Sequence, residues 1–139
     1  MYKIWFDGYS SPKTHNRAGY CVVVEKRGIT SVIEHGTFSP DTTCNLAELK
    51  ALTKALEFAK LYLPTHEYKI FVGDSKLAVG LFNGTMRTKF QHLKDATIQA
   101  LMVSPANFEV RWSSRKYNKA GIFLEKRHNE RGRYAKSPH

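Results

Sequence analysis

Thr42-Thr43-Cys44-Asn45-Leu46-Ala47-Glu48-Leu49-Lys50-Ala51-Leu52 opens the longest amphipathic pattern in the chain, and the fold is read outward from it. Leu49, Leu52, Leu56, Ala59 and Leu63 recur at steps of three and four, which draws one apolar stripe along a helix. The spacing predicts a helix over 45–62, and Pro64 stops it. Glu48 then sits in the first turn. Asn45 is suited to cap the helix start and Glu48, three residues on, completes a capping-box pattern, so Glu48 has a plain structural explanation. The alternative is that it faces something at the helix mouth.

Upstream, residues 2–7 alternate bulky and polar side chains, which predicts a strand ending at Asp7-Gly8, with Tyr9 to Arg17 as a loop. Gly19 to Glu25 and Ile29 to Phe38 read as two more strands around a Lys26-Arg27-Gly28 turn. Downstream, Tyr68 to Gly73 is a short buried strand ending at Asp74, and Ser75 to Leu81 a brief helix. Lys89 to Met102 is a helix expected to turn Phe90, Leu93, Ile98 and Leu101 inward. Asn107 to Trp112 is the last strand, and Lys119 to Arg127 the last helix. The order β-β-β-α-β-α-α-β-α predicts an α/β fold: a five-stranded mixed sheet, three antiparallel strands then two parallel, flanked by helices. Residues 1–128 read as one domain and 129–139 as a basic, flexible tail.

A chain of 139 residues with 42% hydrophobic content suffices for one packed core. No apolar run approaches membrane-spanning length and the first residues do not resemble a signal peptide, so a soluble, cytoplasmic monomer is expected. Cys21 and Cys44 have neither disulfide-framework nor zinc spacing and are taken as unpaired. The formal charge is +10, and the segment from Arg111 onward carries +7 of it. Such an excess favours a polyanionic partner, nucleic acid first. Trp5, Phe6, Phe71 and Trp112 read as core.

Asp7 and Asp74 each follow or end a strand, and Glu48 begins the helix between those strands. Separately, Asp7-Gly8 reads as a turn dipeptide, Asp74-Ser75 as a helix cap, and Glu48 as part of a capping box. Jointly they place three acidic groups at one sheet edge, where like charges repel unless a cation or proton lies among them. An Asp-Gly after the first strand, a Thr-x-Asn-x-x-Glu-Leu-x-Ala helix start and an Asp-Ser after the fourth strand resemble type 1 ribonuclease H, over about Lys3 to Leu124. The resemblance implies an endonuclease that cuts the RNA strand of RNA/DNA hybrids with two divalent ions, Mg²⁺ or Mn²⁺. It implies Asp7, Glu48 and Asp74 as catalytic metal ligands. It also implies Thr43 on a phosphate and Asn45 on a base or sugar edge, with Asn16 and Lys116 completing the substrate contacts.

The chain departs from that family where a fourth acid starts the last helix. One alignment, through Asn-x-x-x-Asp, puts Ile122 there; another puts Asn118 there after a shortened loop. Asn118 is preferred as the fourth catalytic and metal-binding residue, because an amide oxygen can coordinate and isoleucine cannot. The alternatives are Asn118 as a helix cap and Glu125 as the acid. With one negative charge fewer, Mn²⁺ is expected to be favoured over Mg²⁺. The histidine-bearing loop and the basic protrusion of the bacterial enzymes are missing, which leaves grip to Lys13, Arg17, Arg87, Lys89 and the basic C-terminus. These departures support a second reading, a weak or inactive nucleic-acid-binding module that kept the fold.

Overall fold

In the computed structural model, which describes residues 1–11 and 17–136 with side chains as far as His128, three long strands form an antiparallel meander. They are β1 (Tyr2–Ser11), β2 (Arg17–Lys26) and β3 (Ile29–Phe38). Helix α1 (Cys44–Tyr62) crosses to β4 (Lys69–Gly73). Helices α2 (Lys76–Asn83) and α3 (Gln91–Met102) lead to β5 (Phe108–Trp112), and a 3-10 turn at Arg115–Tyr117 precedes α4 (Lys119–Lys136). The sheet order is β3-β2-β1-β4-β5, with β4 parallel to both β1 and β5. The expected mixed sheet and element order are borne out. Arg27 and Gly28 at φ 53° and 77° make the two-residue turn whose twist matches the β2–β3 hairpin.

Strand alternation sorts the core into two layers. Ile4, Phe6, Val22, Val24, Phe71 and Val110 pack under α1 and α3, together with Leu52, Leu56 and Ala100. Trp5, Cys21, Val23, Ile70 and Val72 face the other way, onto Ala120 and Leu124 of α4. The α1 stripe is buried as expected through Leu49, Leu52, Leu56 and Ala59, with Leu63 partly buried. The α3 expectation is corrected: Leu93 and Ala100 are buried, while Phe90, Ile98 and Leu101 are more than half exposed. Ala51, Ala55 and Ala59 on α1 share their core cluster with Ala100, so α3 presents a small side chain where its larger ones would not fit.

Two boundaries also change. The stretch Tyr9 to Ser11, expected as loop, continues β1 against Gly19, Ala18 and Arg17 of β2. Its pairing outweighs the turn-forming composition, and Ser10 Oγ donates to the Thr42 carbonyl just before α1. The last helix runs to Lys136 rather than ending at Arg127. Glu130, Arg131, Ala135 and Lys136 are good helix formers, and no proline is met before Pro138. Of the expected tail, residues 137–139 lie outside the described residues, as do Lys13 and Asn16.

At the end of β4 remote from Asp74, Lys69 is fully buried. Its Nζ donates to the carbonyls of Thr65, Glu67 and Ala106 at 3.3, 2.8 and 3.0 Å, tying the α1–β4 and α3–β5 connections together. Lys69→Ala strands these acceptors and leaves a void, so we expect a loss of about 2–4 kcal/mol. The melting temperature reports it. An unchanged value would show that water replaces the ammonium without cost.

Candidate active site

The site is assembled by strand register. Trp5 pairs with Val72 in parallel, so two residues further along each strand Asp7 comes beside Asp74. Asp7 lies inside β1, opposite Cys21, and not in a turn. Gly8 explains the Asp-Gly pair differently: a Cβ there would lie 2.3 Å from the Ala47 carbonyl and 2.6 Å from the Glu48 nitrogen. Only glycine lets β1 approach α1 this closely. The contact lets the Gly8 N–H donate to Glu48 Oε1 at 2.5 Å.

Glu48 is therefore not a capping residue. The cap of α1 is Thr43, whose Oγ1 accepts from the Leu46 N–H at 3.4 Å, and Glu48 falls in the second turn. Asn45 and Thr43 are exposed at the helix start. At α2 the cap is Ser75, whose Oγ accepts from Ala78 at 3.0 Å, which leaves the Asp74 carboxylate for other work. The turn, helix-cap and capping-box explanations of Asp7, Asp74 and Glu48 are thereby removed.

Asp7, Glu48 and Asp74 place ligand atoms within 4.8 Å of one another. Asp7 is 1% exposed and Glu48 9%. Burial first, then the Asp74 charge, pushes the Asp7 carboxyl up to about 7. Burial first, then Asp7, pushes Glu48 up to about 9, against the Gly8 hydrogen bond that lowers it. Asp7 Oδ1 is buried and has no hydrogen-bond partner among the described residues. Three oxygen donors that repel one another, one of them unsatisfied, fit a hard divalent cation.

Asn118 is fully buried and touches this cluster in a way that ligation does not describe. Its Nδ2 donates to the Phe6 carbonyl and to Asp74 Oδ2, both at 2.9 Å. Its Oδ1 accepts from the N–H groups of Ala120 and Gly121 at 3.1 and 3.3 Å, capping α4. The Phe6 carbonyl can only accept, so it fixes which end of the amide faces the site. A donor, not an oxygen, is turned toward Asp74. Ile122 is 42% exposed, and Glu125 pairs with Arg115 at 3.3 Å. The charge of Arg115 acts on both Asp7 and Asp74. Gly121 closes α4 onto the site: a Cβ there would lie 3.4 Å from Asp7 Oδ2.

Lys116 is exposed on the turn before Asn118, its Nζ 5.0 Å from the Tyr117 ring. Sequence reasoning missed the task of Gly8, for which a glycine inside a strand pattern is a usable signal. It also placed Trp112 in the core. The structure leaves that residue 45% exposed, its Nε1 donating to the Asp74 carbonyl at 3.0 Å.

The sequence profile of the reverse transcriptase-like family matches residues 6–128. No protein with a curated description matches the chain. Among solved structures, the N-terminal ribonuclease H domain of Mycobacterium tuberculosis rv2228c is 26% identical, covering 88% of this chain and 94% of its own at a TM-score of 0.73. Ribonuclease H1 of the halophilic archaeon Halobacterium salinarum is 24% identical, with 88% and 92% covered and a TM-score of 0.73. LC11 ribonuclease H1 in complex with RNA/DNA hybrid is 21% identical, with 86% and 89% covered and a TM-score of 0.66.

Proposed function

The chain belongs to the reverse transcriptase-like family, with the type 1 ribonuclease H fold, and from that premise we propose that it hydrolyses the RNA strand of RNA/DNA hybrids. The observation that carries the proposal is the convergence of Asp7, Glu48 and Asp74 within 4.8 Å, with Asp7 Oδ1 unsatisfied. A neighbour of the same fold in complex with RNA/DNA hybrid supports the substrate class. The three carboxylates would hold divalent cations, Mg²⁺ or Mn²⁺, which supply the charge that activates a water and stabilises the leaving 3′ oxygen.

The protein's own residues prepare that site. Gly8 fixes Glu48 through its N–H, and Asn118 holds Asp74 while anchoring α4 to β1. Asp7 and Glu48 must lose protons before they can hold a cation, so cleavage should rise with pH through the neutral and mildly alkaline range. Thr43 and Asn45, exposed at the start of α1, would contact a phosphate and a base or sugar edge, and the exposed Lys116 would add a further substrate contact. Asn118 acts here as the residue that positions Asp74 and not as a fourth ligand. The free cysteines Cys21 and Cys44 suit a reducing, cytoplasmic setting. No helix among the described residues is long and apolar enough to cross a membrane.

The test is a labelled RNA/DNA hybrid incubated with the protein and Mg²⁺, Mn²⁺ or EDTA. RNA fragments should form with either ion and disappear with EDTA, the DNA strand staying whole. Tight binding without cutting in any ion would favour the second reading, a binding module. The observation on its side is that the site has three carboxylates and an amide whose oxygen is already engaged.

A further inference from the structure

Beside Asp74, on the outer edge of the sheet, aromatic and basic residues alternate on the surface. Trp112 and Tyr117 are 45% and 58% exposed. Lys76 Nζ lies 4.8 Å from the Trp112 ring and Lys116 Nζ 5.0 Å from the Tyr117 ring. Neither lysine forms an ion pair among the described residues, whereas Arg111 and Arg115 are held by Glu109 and Glu125. The indole is anchored: its Nε1 donates to the Asp74 carbonyl at 3.0 Å, while Asn118, next to Tyr117, donates to the carboxylate of the same residue. The Trp112 ring is thus tied to the residue that carries one corner of the acidic cluster, and Tyr117 directly precedes the residue that holds its carboxylate.

We infer that Trp112 and Tyr117, with Lys76 and Lys116, form a stacking platform for unpaired nucleotides that flank the hybrid at the cleavage site. The inference rests on the hybrid-cutting function proposed above. Inside a duplex each base face is covered by its neighbours and has none to offer an aromatic ring. A single strand exposes both its base faces and its phosphates, and interleaved rings and cations are what bind such a strand without sequence preference. In the free protein each ammonium covers a ring face by cation–π attraction. On docking, the lysine moves to a phosphate and the base takes the ring. The substrate favoured on this basis is a hybrid with a single-stranded extension, of DNA or of RNA, in preference to a blunt one.

The experiment measures binding of the full chain in EDTA, so that nothing is cut, to fluorescent hybrids that are blunt or extended by about five nucleotides of DNA or RNA at either end. At least one extended hybrid should bind about five- to tenfold more tightly than the blunt one. Trp112→Leu, Tyr117→Ala and Lys76→Ala should each bring that ratio toward one, and Trp112→Phe should retain most of it. Equal affinity for blunt and extended hybrids, or a ratio untouched by all of the variants, overturns the platform while leaving the hybrid-cutting function standing. The hybrid-cutting function is judged separately by cleavage with Mg²⁺ or Mn²⁺, and were no hybrid bound in EDTA, failure of the same extension to bind as a free single strand would overturn the platform. The other tryptophan, Trp5, is 5% exposed, so a soluble quencher reports on Trp112 and a bound oligonucleotide should protect it. No protection overturns the platform.

Discussion

Glu48→Gln, and separately Asp7→Asn, should lower hybrid cleavage by about a thousandfold or more, equivalent to about 4 kcal/mol of transition-state stabilisation. Each removes one charge from three carboxylates whose ligand atoms lie within 4.8 Å, and so weakens the hold on the cation. The same substitutions should stabilise the metal-free fold, and the sign follows from linkage. Folded Asp7 and Glu48 sit at about 7 and 9, above their ordinary values of 3.8 and 4.5. A carboxyl raised in this way binds more protons folded than unfolded. Its contribution is fully present below about pH 4 and is lost as pH climbs through the folded values. The melting temperature of the parent in EDTA should therefore fall between about pH 4 and 9, Glu48→Gln should flatten the fall, and a divalent ion should restore stability most at high pH. A parent and a glutamine variant with identical, pH-independent melting and equal cleavage would show that the cluster holds no metal.

Asn118 carries the second large effect. Asn118→Ala removes both donors and the α4 cap, so activity should fall about ten- to a hundredfold, as for other residues that orient metal ligands. The lost cap should cost about 1 kcal/mol. Asn118→Asp separates the two descriptions of this residue. A carboxylate can still cap α4 through Ala120 and Gly121, but it cannot donate to the Phe6 carbonyl, and it adds charge beside Asp74 Oδ2. With Asn118 as a positioning residue, the aspartate variant should lose activity in both ions and melt lower in EDTA. A gain in Mg²⁺-supported cleavage would instead make this the place of a fourth ligand. Ile122→Asp, at a position 42% exposed, should not reproduce that gain unless the acid's place is there.

The apolar stripe from Leu49 to Ala59, the alternation in the strands and the turn residues were enough to read the element order and the mixed sheet from the sequence, because these signals depend on local periodicity. The three carboxylates were legible for a related reason: the order of the elements brings β1, the start of α1 and the end of β4 together, although Asp7 proved to lie inside β1 and Glu48 in the second turn of α1. What tertiary structure decided is pairwise. The parallel register of β1 and β4 sets Asp7 beside Asp74, and the close approach at Gly8 takes Glu48 out of a capping role. The amide of Asn118 is turned by the Phe6 carbonyl, 112 residues away in sequence. Trp112 and α3 were misread for the opposite reason. Their bulk marks them as core to any local scale, but whether a face is covered depends on which neighbours reach it, and at α3 the close packing on α1 selects Ala100 over Ile98 and Leu101. Periodicity says that a face exists; only the packed chain determines what lies against it.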